Sequence, residues 1–459
     1  MKHKLIGTKE FYRMVLAVTI PVVIQNGLTN FINLLDNIMV GRMGTEPMSG
    51  VAIVNQLFFV FNLLISGGVA GAGIFTAQYY GKGDMDGVRN TIRAKLWIVL
   101  AALVISFSAF LTLDTTLIGL YLNEDTASAA ATLEYAKTYL YIMLIGLIPF
   151  AVSQCYASSL RETGETVLPM KASAVALLVN LVLDYVLIFG KLGLPAMGVA
   201  GAAIATVLAR FAEMLILVIT AHLRSQKYTF LQGLYHKITI PVKLIRIILI
   251  KGLPLMMNEL LWAAGIATVS QCYSMRGLDV VAAQNIASTF NNLFSVIYFA
   301  LGCSIAIVVG QKLGAGEIEE AKQENAQMIV FNLLIGVVSG IVLAISAPFL
   351  PLFYNTSETV RSMATQFLWI IAAATPFCTV VHCAYYSLRT GGKTGVAFLF
   401  DTGYTWLFMV PLAFFLGHFT TIDPVLMYLL VQGAAFIIIK TSLAFILLKK
   451  CNWATNIIN

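Results

Sequence analysis

Apolar runs long enough to cross a bilayer recur along the whole chain, near residues 14–40, 48–80, 96–121, 137–160, 170–190, 198–222, 253–275, 281–312, 326–352, 362–388, 395–416 and 425–448. A segment of about 20 apolar residues spans hydrocarbon as a helix, which satisfies its own backbone polar groups where lipid cannot. The 459 residues are 59% hydrophobic and 11% charged, against about 25% charged in soluble domains. The reading is an all-α polytopic membrane protein of twelve transmembrane helices. The net charge of +7 does not signal nucleic-acid binding, because the basic residues are confined to certain loops. Lys2, Lys4 and Lys9 precede a first apolar run that is too long for a signal sequence and carries Asn and Asp, so it reads as an uncleaved span.

Basic residues set the orientation. With the N-terminus inside, alternate loops hold clusters such as Lys82/Arg89/Arg93/Lys95 and Lys237/Lys243/Arg246/Lys251, while the opposite loops hold only scattered ones such as Arg42, Lys191, Arg276 and Arg361. Both termini are therefore expected in the cytoplasm, and the location is a bacterial-type plasma (inner) membrane.

The two halves repeat. Pro21 and Gly44 meet Pro254 and Gly277 at an offset of 233, and Gln78, Gly81 and Gly83 meet Gln311, Gly314 and Gly316 in the same frame. Ser159-Leu160-Arg161 and Thr166 meet Ser387-Leu388-Arg389 and Thr394 at an offset of 228, and Gly190 then meets Gly417. Six spans per half give both halves one orientation, so a parallel repeat is expected. The predicted domains are an N-terminal six-helix lobe (1–225), a cytoplasmic linker (226–252) and a C-terminal six-helix lobe (253–459), pseudo-symmetric and with the substrate cavity between them.

Ionisable groups at membrane depth point to function when they face an interior. Asn180 and Asp184 lie four residues apart in VNLVLDYVLIF, on one helix face. Asp36 sits in the first span among Gln25, Asn26, Thr29, Asn30, Asn33 and Asn37 at helical spacing. That amide stripe is either an interhelical hydrogen-bond seam or a cavity lining; the carboxylate favours the second. In GVAGAAIATVLAR, the small residues Gly198, Gly201, Ala202 and Ala205 allow close helix contact and bring Thr206 toward Asp184. Asp36, Asn180, Asp184 and Thr206 offer oxygens suited to Na⁺, or to a shared proton. Glu259 with Trp262 one turn on could receive an organic cation, or be simply hydrated. Gln25, Asn33, Asn37 and Asn292 are further candidates for the substrate lining. Asp401 is either functional or interfacial, and Arg210 and Lys440 are expected to snorkel to the cytoplasmic interface. The six cysteines read as packing residues; Cys378, His382 and Cys383 are a weak metal alternative. The glycine loops GKGD (81–84) and GAGE (314–317) lack a P-loop context and read as caps and turns. No catalytic constellation and no nucleotide-binding domain is visible, so an enzyme is not expected and the energy source is an ion gradient.

The stretches LLDNIMVGRMG (34–44), QYYGKGD (78–84), SLRETGET (159–166), NLVLDYVLIFG (180–190), GVAGAAIATVLAR (198–210), GLPLMMNELLW (252–262) and GQKLGAG (310–316) together resemble the multidrug and toxic compound extrusion (MATE) family, with LDYVLIFG similar to its DinF-like branch. The resemblance spans nearly the whole chain. It implies a cation or proton site in the N-terminal lobe at Asp36, Asn180, Asp184 and Thr206. This sequence departs from the family at Tyr185, where that branch often has proline, and lacks a clean match to the NorM-type acids of helices 7 and 10. The implied function is a secondary-active multidrug antiporter that exports organic cations in exchange for Na⁺ or H⁺, without a cofactor, contacting membrane lipids and acting as a monomer. A lipid-linked precursor flippase is the alternative; the acid-rich, cation-poor interior disfavours it. A channel would lack the two-lobe repeat.

Overall fold

The computed structural model describes residues 5–122, 127–237 and 239–458, without the side chains of 33, 34, 37, 38 and 127. Every regular element among them is helical. The long helices are α1 (Lys9–Gly41), α2 (Thr45–Lys82), α3 (Met85–Thr112), α4 (Ala127–Glu162), α5 (Val167–Phe189), α6 (Gly198–Leu223), α7 (Val242–Ser274), α8 (Leu278–Gly314), α9 (Ile318–Ser346) and α10 (Glu358–Thr390). Two more follow, α11 (Thr394–Phe419) and α12 (Pro424–Lys450). Among the described residues, eleven helical segments are long and apolar enough to cross a membrane. The 33-residue α7 coincides with the remaining run of the sequence but carries Lys243, Arg246 and Lys251 in its first three turns.

Several helices start well before their apolar runs. α3 begins at Met85 rather than 96, capped by Asp84, whose carboxylate accepts from the Gly87 amide at 2.8 Å. Hydropathy marks only the lipid-facing part of a helix; caps and charged first turns project beyond it. The GKGD and GAGE segments are turns, with Gly83 and Gly316 at φ +80° and +84°.

The chain divides into two compact units. One comprises Ile24–Thr76 and Asp84–Gly252; the other holds the chain up to Val23, Ala77–Gly83 and everything from Leu253 onward. In the first, α6 packs against α4 and α5. A Cβ built on Gly201 would meet the Leu187 carbonyl at 2.7 Å, so the small residues of α6 let the α5 and α6 backbones touch. The core includes Leu140, Met143 and Leu147 of α4, with Phe58 edge-on to Phe110. The segment 226–252 belongs to this unit, where Arg93 of α3 donates to the carbonyls of Leu234 (2.7 Å) and Gly233 (3.0 Å).

In the second unit, α10 packs against α8 and α9. The first half of α1 joins it: the Thr19 and Ser304 hydroxyls lie 2.6 Å apart, and the Tyr12 ring is 4.9 Å from that of Phe331. The ends of α2 and α8 cross at two glycines that the sequence repeat pairs. A Cβ on Gly81 would fall 1.9 Å from the Gln311 carbonyl oxygen, and one on Gly314 would fall 1.9 Å from that of Gln78. α11 and α12 each contain two π-helical turns, Leu399–Gly403 and Thr405–Met409, then Leu429–Ala434 and Phe436–Lys440. Such turns widen a helix by one residue and gather at functional positions.

Candidate functional site

In the first unit, α1 presents Asp36 and α5 presents Asp184, and the two carboxylates interact directly. Asp184 is 1% exposed and Asn180 3%. Asn180 faces Asp184, yet neither Asp184 oxygen nor the Asn180 amide nitrogen closes a full hydrogen bond with any partner among the described residues. Buried polar atoms are nearly always satisfied, and two acceptor-only carboxylates in contact require a cation or a proton between them. The Thr206 hydroxyl on α6 donates to the Ala202 carbonyl at 3.0 Å, which commits its proton and leaves its lone pairs for another partner. Asp36, Asp184 and Asn180 fit a monovalent cation or a proton, while the contact described for Thr206 stays within its own helix.

The remaining candidates fall in different places. Gln25 is buried, accepts from Arg161 (3.2 Å) and donates to the Ser173 hydroxyl (2.9 Å). The side chains of Asn33 and Asn37 lie outside the described residues. Glu259, Trp262 and Asn292 belong to the second unit. There Glu259 lies in the electrostatic range of Arg389 and Asp401, and the Asn292 side chain is exposed while its carbonyl accepts from Ser295 (2.7 Å).

Two expectations are corrected. Lys440 does not snorkel: it is 6% exposed, and its ammonium donates to Asp401 Oδ1 at 2.6 Å. The rings of Tyr404, Phe436 and Phe400 surround it at 5.1, 5.5 and 5.8 Å. Asp401 is accordingly internal rather than interfacial, with Oδ2 accepting from Asn258 at 2.9 Å; Thr402 in turn donates to Asn258 at 2.7 Å. Arg210 turns to its own bundle, donating to the Gly146 carbonyl (3.3 Å) with its guanidinium 5.1 Å from the centre of the Phe150 ring. Arg210 lies in the electrostatic range of Asp36, but they form no ion pair among the described residues. The ring nitrogen of His382 lies 2.8 Å from the Cys378 carbonyl, and Cys383 accepts from Asn332.

Two further residues escaped the sequence reading, Tyr139 beside the pair and Glu213 at a distance from it. Tyr139 on α4 lies in the electrostatic range of both aspartates and of Arg210, with its hydroxyl 3.4 Å from Asn55. Glu213 accepts from Ser173 at 2.5 Å. A signal for Glu213 exists: Thr206, Arg210 and Glu213 share a face of α6 at spacings of four and three.

Comparison with known proteins agrees with the repeat. The MatE family model matches residues 21–186 and again 254–415. Among similar proteins is a probable multidrug resistance protein NorM of Thermotoga maritima, 25% identical over 88% of this chain and 85% of its own. Another is the multidrug resistance protein MdtK of Yersinia pseudotuberculosis, 25% identical over 96% and 95%. The crystal structure of the Vibrio cholerae MATE transporter VcmN in the bent form has the same fold, with a TM-score of 0.84 at 20% identity over 96% of this chain and 97% of that one. One family model fits each half, in the register of the internal repeat, and so the chain belongs to the MatE family, the multidrug and toxic compound extrusion transporters.

Proposed function

We propose that the protein is a secondary-active efflux antiporter that exports organic cations in exchange for Na⁺ or H⁺ taken at Asp36, Asn180, Asp184 and Thr206. One observation carries this reading: a pair of carboxylates inside a membrane bundle whose buried member closes no full hydrogen bond among the described residues. Such a pair is stable only with a small cation or proton between its members, which is what a coupling site must bind and release. The multidrug resistance names of the relatives supply the cargo class; Glu259, an acid of the second unit with no ion pair among the described residues, favours a cationic one.

In this cycle the ion enters from outside and neutralises the pair, and cargo leaves outward. The ion is then released to the cytoplasm, and new cargo binds. Exchange requires that ion and cargo disfavour each other, a coupling of about 1–3 kcal/mol. The chain works as six-helix lobes 1–225 and 253–459 about the linker 226–252. It has both termini in the cytoplasm, and it acts as a monomer in the inner membrane. In vesicles with an imposed Na⁺ or pH gradient, wild-type protein should drive uphill export of an organic cation. Asp36→Asn and Asp184→Asn should abolish it while leaving insertion intact. Undiminished export by both variants would refute the site.

A further inference from the structure

The internal repeat carries a second polar site in each unit, at three equivalent positions. In the first unit Gln25 donates to Ser173 (2.9 Å), and Ser173 donates to Glu213 (2.5 Å). In the second, Asn258 donates to Asp401 (2.9 Å), and Lys440 donates to Asp401 (2.6 Å). Gln25 and Asn258 each lie four residues past the proline inside their helix, Pro21 and Pro254. Ser173 and Asp401 each lie seven residues past the paired Thr166 and Thr394. Glu213 follows Ser173 by 40 residues and Lys440 follows Asp401 by 39. The three pairs keep the offsets of the sequence repeat, 233, 228 and 227.

The positions match but the charges do not. In the second unit an acid and an ammonium neutralise each other, and both Asp401 oxygens receive donors. In the first, the acid has moved to the helix that carries lysine in the other unit, and its partner is an uncharged hydroxyl. The donors run one way, from Arg161 to Gln25 to Ser173, and end on Glu213. Arg210 and Arg161 are the charged groups that face Glu213; neither forms an ion pair with it among the described residues. Ser173 precedes Asp184 by eleven residues of α5, about 16 Å of helix, which places this site toward the basic end of the bundle.

We propose that Gln25, Ser173 and Glu213 form a second station for a free monovalent cation, a proton or Na⁺, and that Lys440 fills the equivalent station of the other unit with a tethered ammonium. Ion traffic then has two stops in one half of the repeat and none at the equivalent position in the other. This deepens the antiport reading, but its test reads carboxyl groups rather than flux, so either can fail without the other.

The test is infrared difference spectroscopy of the purified protein in lipid, between acidic and alkaline buffers and between Na⁺ and choline buffers. Wild type minus Glu213→Gln should contain one carboxyl signal: a pH-dependent acid C=O band for a proton, or a Na⁺-dependent carboxylate shift for Na⁺. Neither signal would overturn the station. Lys440→Met should gain one titrating or Na⁺-sensitive carboxyl signal that Asp401→Asn/Lys440→Met lacks, because Asp401, faced also by His382, Glu259 and Tyr385, must then recruit a free cation. No gain would overturn the tethered-ammonium assignment. If Lys440→Met does not fold, wild type and the double variant still decide. Matching spectra support the closed pair, and a signal that only wild type shows overturns it.

Discussion

The paired glycine crossing gives a quantitative test of how closely α2 and α8 approach. A methyl group on Gly81 would sit 1.9 Å from the Gln311 oxygen, where ordinary contact begins at 3.4 Å, so the backbones must part by about 1.5 Å. The obstacle is main chain on both sides and cannot swing away as a side chain would. Overpacking of this kind costs about 1–3 kcal/mol and sometimes more. Gly314→Ala meets the same 1.9 Å obstacle at Gln78 and should cost the same. Once one substitution has parted the helices, the second finds part of its space made, so the double variant should lose less than the sum of the two. Gly27, within α1, is the internal control. Its added methyl meets nothing within 4 Å, so Gly27→Ala should stabilise by about 0.5–1 kcal/mol through helix propensity alone. Equilibrium unfolding by SDS titration in mixed micelles reads all four variants. Wild-type stability in Gly81→Ala and Gly314→Ala, or full additivity in their combination, would refute the contact.

Other expectations follow from charge placement. Lys95 is buried and donates to Ser158 (2.7 Å), Ser159 (3.1 Å) and Glu162. Lys95→Met should destabilise by about 3–5 kcal/mol by stranding a partly buried carboxylate, and Lys95→Met/Glu162→Gln should recover most of it in the same titration; a harmless single variant would contradict the buried pair. In the loop after α4, burial pushes the Glu165 carboxyl up, but Lys227 (2.5 Å), Tyr228 (2.9 Å) and the Leu168 amide (3.2 Å) outweigh it and hold it below its ordinary 4.5. A depressed acid stabilises the fold above its unfolded pKa and loses that contribution as pH falls through the folded value. Protection of residues 224–232 against hydrogen exchange, taken relative to the intrinsic rate at each pH, should therefore fall as the solution is acidified below the ordinary glutamate range, and Glu165→Gln should remove that loss of protection.

How much was legible in the sequence depended on the range of the signal. Apolar runs and the Lys/Arg bias are local sums, and they located every long helix to within about a dozen residues. The repeat was readable because Pro21/Pro254 and Gly81/Gly314 keep their frame. Asn180 and Asp184 share a face by helical spacing alone, whereas Asp36 and Asp184, 148 residues apart in the chain, were grouped only by being carboxylates at membrane depth, a chemical match that the family resemblance then reinforced. Lys440 was misread because snorkelling is the default for a lysine near a helix end, and a partner 39 residues away on another helix leaves no local trace. The π-helical turns had no signal either: their residues are ordinary helix formers, and the extra residue per turn becomes visible only in the backbone.

The border between the two units gives the linker an unexpected status. Three of its four crossings, Val23 to Ile24, Thr76 to Ala77 and Gly252 to Leu253, fall inside α1, α2 and α7 rather than in loops. A protease cut within 224–241 would sever the polypeptide and still leave each fragment threaded into both bodies. The amino-terminal piece would supply Lys9–Val23 and Ala77–Gly83 to a body otherwise built from the carboxy-terminal piece. Nicked protein should therefore run as a single species through mild-detergent chromatography, and co-expressed fragments divided there should reassemble, like two laces tied through each other's eyelets.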